Sequence, residues 1–160
     1  MRVAVDIRKA VAEDVGALLR EGLRASDVRE VKRMTGDGPA EALWESFVRS
    51  VESYSVFADG TICAMYGMAP VGLMCNDGTP WFLATDVVEK FWMRFAVVSG
   101  RAVRELCDGY NEVVNYVDVE HEKSIRWLRW LGFDVCENVV RLGPESHPFY
   151  KFTRKGASCA

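Results

Sequence analysis

Residues 3–10, VAVDIRKA, alternate apolar and polar side chains, the period-two pattern of a strand with one buried face. AEDVGALLREGL then changes to three- and four-residue spacing through Val15, Leu18, Leu19 and Leu23, so a helix follows the strand. A second helical region over residues 26–52 is interrupted at Gly36, Asp37, Gly38 and Pro39, and Pro39 suits a first helical position because its missing N–H costs nothing there. Beyond the break, Leu43, Trp44, Phe47, Val48 and Val51 recur at helical spacing and predict a buried face.

The middle of the chain reads as β. SYSVFADGTICAMYGMAP places Asp59-Gly60 between two apolar runs, a hairpin signal. Asn76 to Pro80 make a further turn before PWFLATDVV, a buried strand ending near Thr85 and Asp86. A long helix over 89–108 carries Phe91, Phe95, Val98, Ala102 and Leu106 on one face. NEVVNYVDV is a strand and EKSIRWLRWL a short helix, with Gly132 placed for a left-handed cap and Phe133 folding back on the last turn. DVCENVVRL and PFYKFTR are two strands joined by the turn-forming GPESHP, and KGASCA is a small, polar tail. The expected order is β-α-α-β-β-β-α-β-α-β-β. The late helical connection predicts that residues 81–86 and 113–118 form a parallel pair in an otherwise antiparallel sheet.

Composition narrows the function classes. With 160 residues, 49% hydrophobic and 27% charged, the chain fits one domain, expected over residues 1–153, with a flexible tail over 154–160. A net charge of −3 supplies no general field toward nucleic acid or an anionic membrane, and no apolar run approaches a bilayer span, so the expected location is cytoplasmic. The five cysteines form no C-x-x-C pair, and His121 and His147 are the two imidazoles, so no metal site is expected.

The element order, together with PWFLATD, NYVDVEHEKSIRWLRWLGF and the late GPESHPF, resembles the GNAT N-acetyltransferase superfamily over Asp6 to about Phe152. Within it the chain is most similar to a phage-encoded branch that includes an internal virion protein of short-tailed phages. The resemblance implies a three-layer α/β/α fold with a mixed, mostly antiparallel sheet. It also implies acetyl-CoA between the splayed parallel strands, its pyrophosphate on backbone N–H groups at the start of the following helix, and acyl transfer to an amine. Phage structural proteins are the partners this branch implies, with a virion as the alternative location to the cytoplasm.

Two departures stand out. No glycine lies between Gly78 and Gly100, where the family has a glycine loop that lets amides approach the phosphates, and weak or absent acetyl-CoA binding is therefore expected. Leu128 stands where the family places a proton-donating Tyr, four residues before the glycine of its Gly-Phe pair. The expected catalytic candidates are Asp86, alternatively a helix cap, and His121, alternatively a local hydrogen-bonding group. Glu89 stands second to Asp86 as a base. Thr85, Arg94 and Ser124 are the cofactor-binding candidates; Ser124 also reads as an ordinary first-turn residue. Lys90, Arg94, Arg101 and Arg104 form a basic stripe on the long helix, and Trp127 and Trp130 are spaced so that one must turn outward. If the fold is catalytically silent, it is an interaction protein on the same scaffold.

Overall fold

The computed structural model describes residues 2–157. Seven strands form one sheet in the order β1-β2-β3-β4-β5-β7-β6: β1 (Val5–Lys9), β2 (Glu52–Ala58), β3 (Thr61–Pro70), β4 (Gly78–Ala84), β5 (Glu112–Asp118), β6 (Asp134–Leu142) and β7 (His147–Lys155). Every neighbouring pair is antiparallel except β4 and β5. The hairpin signal at Asp59-Gly60 is realised with positive φ at both residues, the geometry whose twist matches the flanking strands. Arg154 and Lys155 lie within β7, two residues beyond the expected end of the domain, and the expected tail residues 158–160 lie outside the described residues.

Helices cover both faces, as the three-layer reading requires. α1 (Ala12–Glu21), α2 (Ala25–Thr35) and α3 (Pro39–Arg49) precede β2, and the core on that side gathers Val15, Leu18, Leu43, Ile62, Met65 and Leu83. The second helical region is thus two helices, parted at Gly36, whose φ of 82° ends α2 in a left-handed cap. On the other face lie α5 (Trp92–Asp108) and α6 (Glu122–Trp130), where the rings of Trp127, Phe95 and Phe133 join Val103, Val113 and Phe152. The long helix predicted from residue 89 is split. α4 (Val87–Lys90) is one short turn, and Phe91 leaves helical backbone at φ −135° before α5 begins.

Two predicted faces differ from those observed. On α3 only Leu43 is fully buried, while Trp44 and Val48 are exposed, as is Val51 just beyond the helix. On α5 the buried stripe runs through Phe95, Ser99, Gly100, Val103 and Leu106, rotated from the expected Val98 and Ala102, which are half-buried. At Gly100 a Cβ would come 2.5 Å from Trp130 Cζ3, so the glycine makes room for the ring at the end of α6 against α5.

Candidate functional site

β4 and β5 are paired at a single register point, Gly78 with Val113, and diverge beyond it. Parallel pairing is the relationship predicted for these strands, and the divergence opens a cleft of about 350 Å³. Its walls include Trp81, Phe82 and Leu83 of β4, Asn115 and Tyr116 of β5, and residues of α2 and α3; its floor carries Ser124, Trp127 and Leu128 of α6.

A chain of buried charge crosses the cleft's inner end. Asp27, near the start of α2, receives Arg24 in a two-bond pair at 3.0 and 2.8 Å, and the same carboxylate accepts the Ala84 N–H at 2.9 Å. One turn further along α2, Glu30 Oε2 lies 2.6 Å from His121 Nδ1, and Glu30 Oε1 accepts the Asp118 N–H at 3.2 Å. His121 Nε2 lies 3.0 Å from Ser124 Oγ and 3.9 Å from Asp27 Oδ1. Asp118, itself buried, is bound by Arg33 at 2.8 Å, and Arg33 also reaches Glu120 at 2.6 Å. The turn between β6 and β7 fixes this end of α2: Gly143, at φ 80°, packs so closely that a Cβ there would lie 1.8 Å from the Arg33 carbonyl oxygen. Each guanidinium thus answers a carboxylate that would be costly to bury alone.

The expected site residues divide into two groups. His121 and Ser124 are brought together, at the N-cap and in the first turn of α6, and both line the cleft. Asp86, Thr85 and Arg94 lie outside the cleft lining. Asp86 is exposed and its side chain caps nothing; the cap role falls to Thr85, buried, whose Oγ1 accepts the Val87 N–H at 3.3 Å. Arg94 and Arg101 are exposed on α5 and Lys90 is exposed at the end of α4, whereas Arg104 lies over the Trp130 ring at 5.0 Å. Glu89 pairs with Lys123 at 3.0 Å. Glu30, Asp27 and Asp118 escaped the sequence reading, since an acidic residue in a charge-rich helix or at the end of a strand carries no periodic signal. Among the described residues, no group of His, Cys, Asp and Glu could hold a metal ion, and no helix is long and apolar enough to cross a membrane.

Do these residues fit the coenzyme A that the family resemblance implies? The splay on the α5 and α6 face is filled by aromatic rings: Phe82 and Trp127 at 5.0 Å, Trp92 and Trp127 at 5.9 Å, Phe82 and Phe95 at 5.7 Å. Along the β4 edge, the Pro80 carbonyl already accepts Asn115 Nδ2 at 2.7 Å, and the Ala84 N–H and C=O are taken by Asp27 and by the Arg24 N–H. The amides that would face a pyrophosphate are also used: Val87 by Thr85 Oγ1, Val88 by the Thr85 carbonyl, Glu89 by the Asp86 carbonyl. The pair of Lys123 and Glu89 also ties α6 to α4. As seated, these residues do not fit coenzyme A.

No family model and no curated protein matches the chain. Solved structures do. An acetyltransferase of the GNAT family from Streptococcus pneumoniae superposes with a TM-score of 0.66 at 13% identity, over 96% of this chain and 100% of that one. A Vibrio cholerae spermidine N-acetyltransferase, solved with CoA and spermine, gives 0.67 at 11% identity, over 96% of each chain. A ribosomal α-N-protein acetyltransferase, solved with coenzyme A, gives 0.66 at 10% identity over 97% of this chain and 98% of that one. The fold is that of the GNAT acetyltransferases.

Proposed function

We propose that this chain is an acyl-transfer protein on a GNAT fold, with His121 as the base that takes a proton from an amine held in the cleft. The observation that carries this reading is the 2.6 Å bond between His121 Nδ1 and Glu30 Oε2 at the cleft wall. Glu30 fixes the ring and stabilises the imidazolium once His121 Nε2 has accepted a proton. The lining adds Glu45 and Asp27 to Glu30, beside the rings of Trp81 and Tyr116, and this combination of carboxylate and aromatic faces suits a cationic amine. An amine acceptor is also what the name of the Vibrio cholerae neighbour states for that enzyme.

The donor is an activated acyl group. Acyl-CoA is the donor the fold implies, and when bound it would supply a thioester; because the groove does not fit its carrier, catalysis is assigned to the chain's own residues. On β4, the alternation that turns Ala84 N–H and C=O away from β3 also turns those of Phe82 toward the splay. The Phe82 N–H is accordingly a backbone donor in the cleft wall for a developing oxyanion. This reading carries a cytoplasmic location.

A second reading has its own observation. The Trp92 and Trp127 rings, with the Glu89 and Lys123 pair above them, favour a scaffold that no longer turns over acyl-CoA. The sequence resemblance to the phage branch makes that scaffold a virion interaction protein, with the exposed Trp130 as an anchor for phage structural proteins. One assay separates the two: thiol release from acetyl-CoA at millimolar concentration, where a weakly held donor still occupies the protein, against a panel of polyamines and amino-terminal peptides, in wild type and His121→Asn. Amine-dependent turnover lost in His121→Asn supports the first reading. No turnover with any amine overturns it and leaves the second.

A further inference from the structure

The hydrogen bonds around His121 run in an order the amine-acylation reading does not use. Ser124 Oγ lies 3.0 Å from Nε2, and Glu30 Oε2 lies 2.6 Å from Nδ1 on the opposite edge of the same ring. With the Nδ1 proton directed at Glu30, Nε2 keeps a lone pair for the Ser124 hydroxyl proton. Hydroxyl, imidazole and carboxylate then stand in the sequence that activates a serine nucleophile. We propose that Ser124, His121 and Glu30 form such a relay and give this chain an esterase activity toward small activated esters and thioesters, independent of any nucleotide carrier. It shares the pair of His121 and Glu30 with the proposed function, but neither its donor nor its acceptor.

Five features support the assignment. All three residues line the cleft. His121 is buried, so its ring is held rather than free to rotate into solvent, while Ser124 is half-buried and open to a ligand. Glu30 cannot swing away, because its other oxygen accepts the Asp118 N–H and Asp118 is held in turn by Arg33. Around the imidazole the remaining charged groups balance: Asp27 faces Nε2 at 3.9 Å and is neutralised by Arg24, so an imidazolium formed during reaction meets carboxylates and no free cation among the described residues. Beside the nucleophile, one helical turn along α6, Trp127 Nε1 is the buried side-chain donor that lacks any hydrogen-bond partner among the described residues. Trp127 lines the same cleft, which makes its indole N–H the candidate partner for a carbonyl oxygen bound at Ser124.

The chemistry balances. Ser124 Oγ bonds to the acyl carbon as its proton passes to His121 Nε2. The tetrahedral adduct collapses by breaking the bond to the alcohol or thiol leaving group, which takes the proton from Nε2. Water then attacks the Ser124 ester, again giving its proton to Nε2. The carboxylic acid leaves as Ser124 regains a proton. The lining by Trp81, Phe82, Leu83 and Leu128 favours a short apolar acyl group.

The test is to treat the intact protein with diisopropyl fluorophosphate, in the absence of acyl-CoA and of any amine, and to map the adduct by peptide mass spectrometry. One adduct on Ser124 is expected, formed about 100-fold more slowly in His121→Asn, the scale on which positioned bases act, and also slowed in Glu30→Gln. No adduct, an adduct elsewhere, or a rate indifferent to His121→Asn overturns the relay. Ser124→Cys gives an independent arm: its alkylation by iodoacetamide should outpace that of the exposed Cys75 and lose the advantage in the Ser124→Cys, His121→Asn double variant. Equal rates at positions 75 and 124 count against the proposal. Because the labelling uses neither acetyl-CoA nor amine, failure of amine acylation leaves it standing, and failure of the labelling leaves direct acylation standing.

Discussion

The indole rings of Trp92 on α5 and Trp127 on α6 meet edge to face, 5.9 Å between centroids, in the gap that β4 and β5 leave by diverging. Two helices that would have to part around a cofactor are instead joined through their side chains.

Acetyl-CoA should therefore bind weakly or not at all. Losing two charge-assisted hydrogen bonds at roughly 1.5–3 kcal/mol each moves a micromolar ligand toward the millimolar range, and three amides near the start of α4 are already engaged. Isothermal titration should show no micromolar binding. Trp92→Ala should improve affinity by about tenfold at most, since the engaged amides are untouched. Residual binding should fall further in Arg94→Ala, because Arg94 is an exposed cation in the first turn of α5. Micromolar binding by the wild type would falsify the closed-groove account.

Leu128 in α6 and Leu131 at its C-cap should behave differently. Leu131 is 1% exposed and packs beneath Gly100, whereas Leu128 is half-buried and borders the cleft. Sequence spacing alone gives both residues to the core. Leu131→Ala should cost about 2–5 kcal/mol in urea denaturation. Leu128→Ala should cost less, about 1–2 kcal/mol, because part of its surface is wet before the substitution. Equal losses would place Leu128 in the core after all.

What could be read from the chain was whatever depends on neighbours in sequence. Alternation gave the strands, Asp59-Gly60 the hairpin and Gly132 the left-handed cap, where the Phe133 N–H returns to the Leu128 carbonyl at 3.0 Å. The order of elements was enough for the parallel pair, and together with the motifs of the family resemblance it gave the fold. The site was half legible. His121 and Ser124 are three residues apart and could be singled out, but Glu30 lies 91 residues from His121 and nothing local marks it. Asp86 shows where local position misleads about capping: it follows an apolar strand as a cap residue would, yet the neighbouring Thr85 hydroxyl provides the cap and Asp86 faces solvent. On α3 the periodicity was real, but spacing defines an apolar face without stating how much of it the sheet will cover.

Asp27 should be among the least replaceable polar residues. Arg24 and Asp27 are each 3% exposed, and Asp27 also accepts the Ala84 N–H, so it joins α2 to the end of β4. Asp27→Asn keeps the shape but leaves the Arg24 guanidinium buried without its counter-charge, a change that costs about 3–5 kcal/mol. Chemical denaturation of Asp27→Asn and of an Arg24→Met, Asp27→Leu double variant should separate the terms. The double variant should recover much of the loss, because a buried pair replaced by apolar groups leaves no unpaired charge. A double variant as unstable as Asp27→Asn would show that the bond to Ala84 dominates.

Asp14 ties α1 to the sheet and should make stability depend on acid pH. Burial alone would raise its pKa, but hydrogen bonds from the Val11 N–H at 3.0 Å, the Ser55 hydroxyl at 2.8 Å and the Arg8 guanidinium at 2.9 and 3.0 Å outweigh it and hold the carboxyl below its usual range. A carboxyl with a lower pKa folded than unfolded contributes stability above its unfolded value, and that contribution is lost as the pH falls through the folded value. The wild type should therefore exceed Asp14→Asn in thermal midpoint at pH 7. The gap should begin to narrow near the ordinary aspartate value, about 3.9, and close only at more acid pH, once Asp14 itself is protonated in the folded protein. A gap independent of pH would mean that the geometry of the cap, which asparagine reproduces poorly, matters more than the charge.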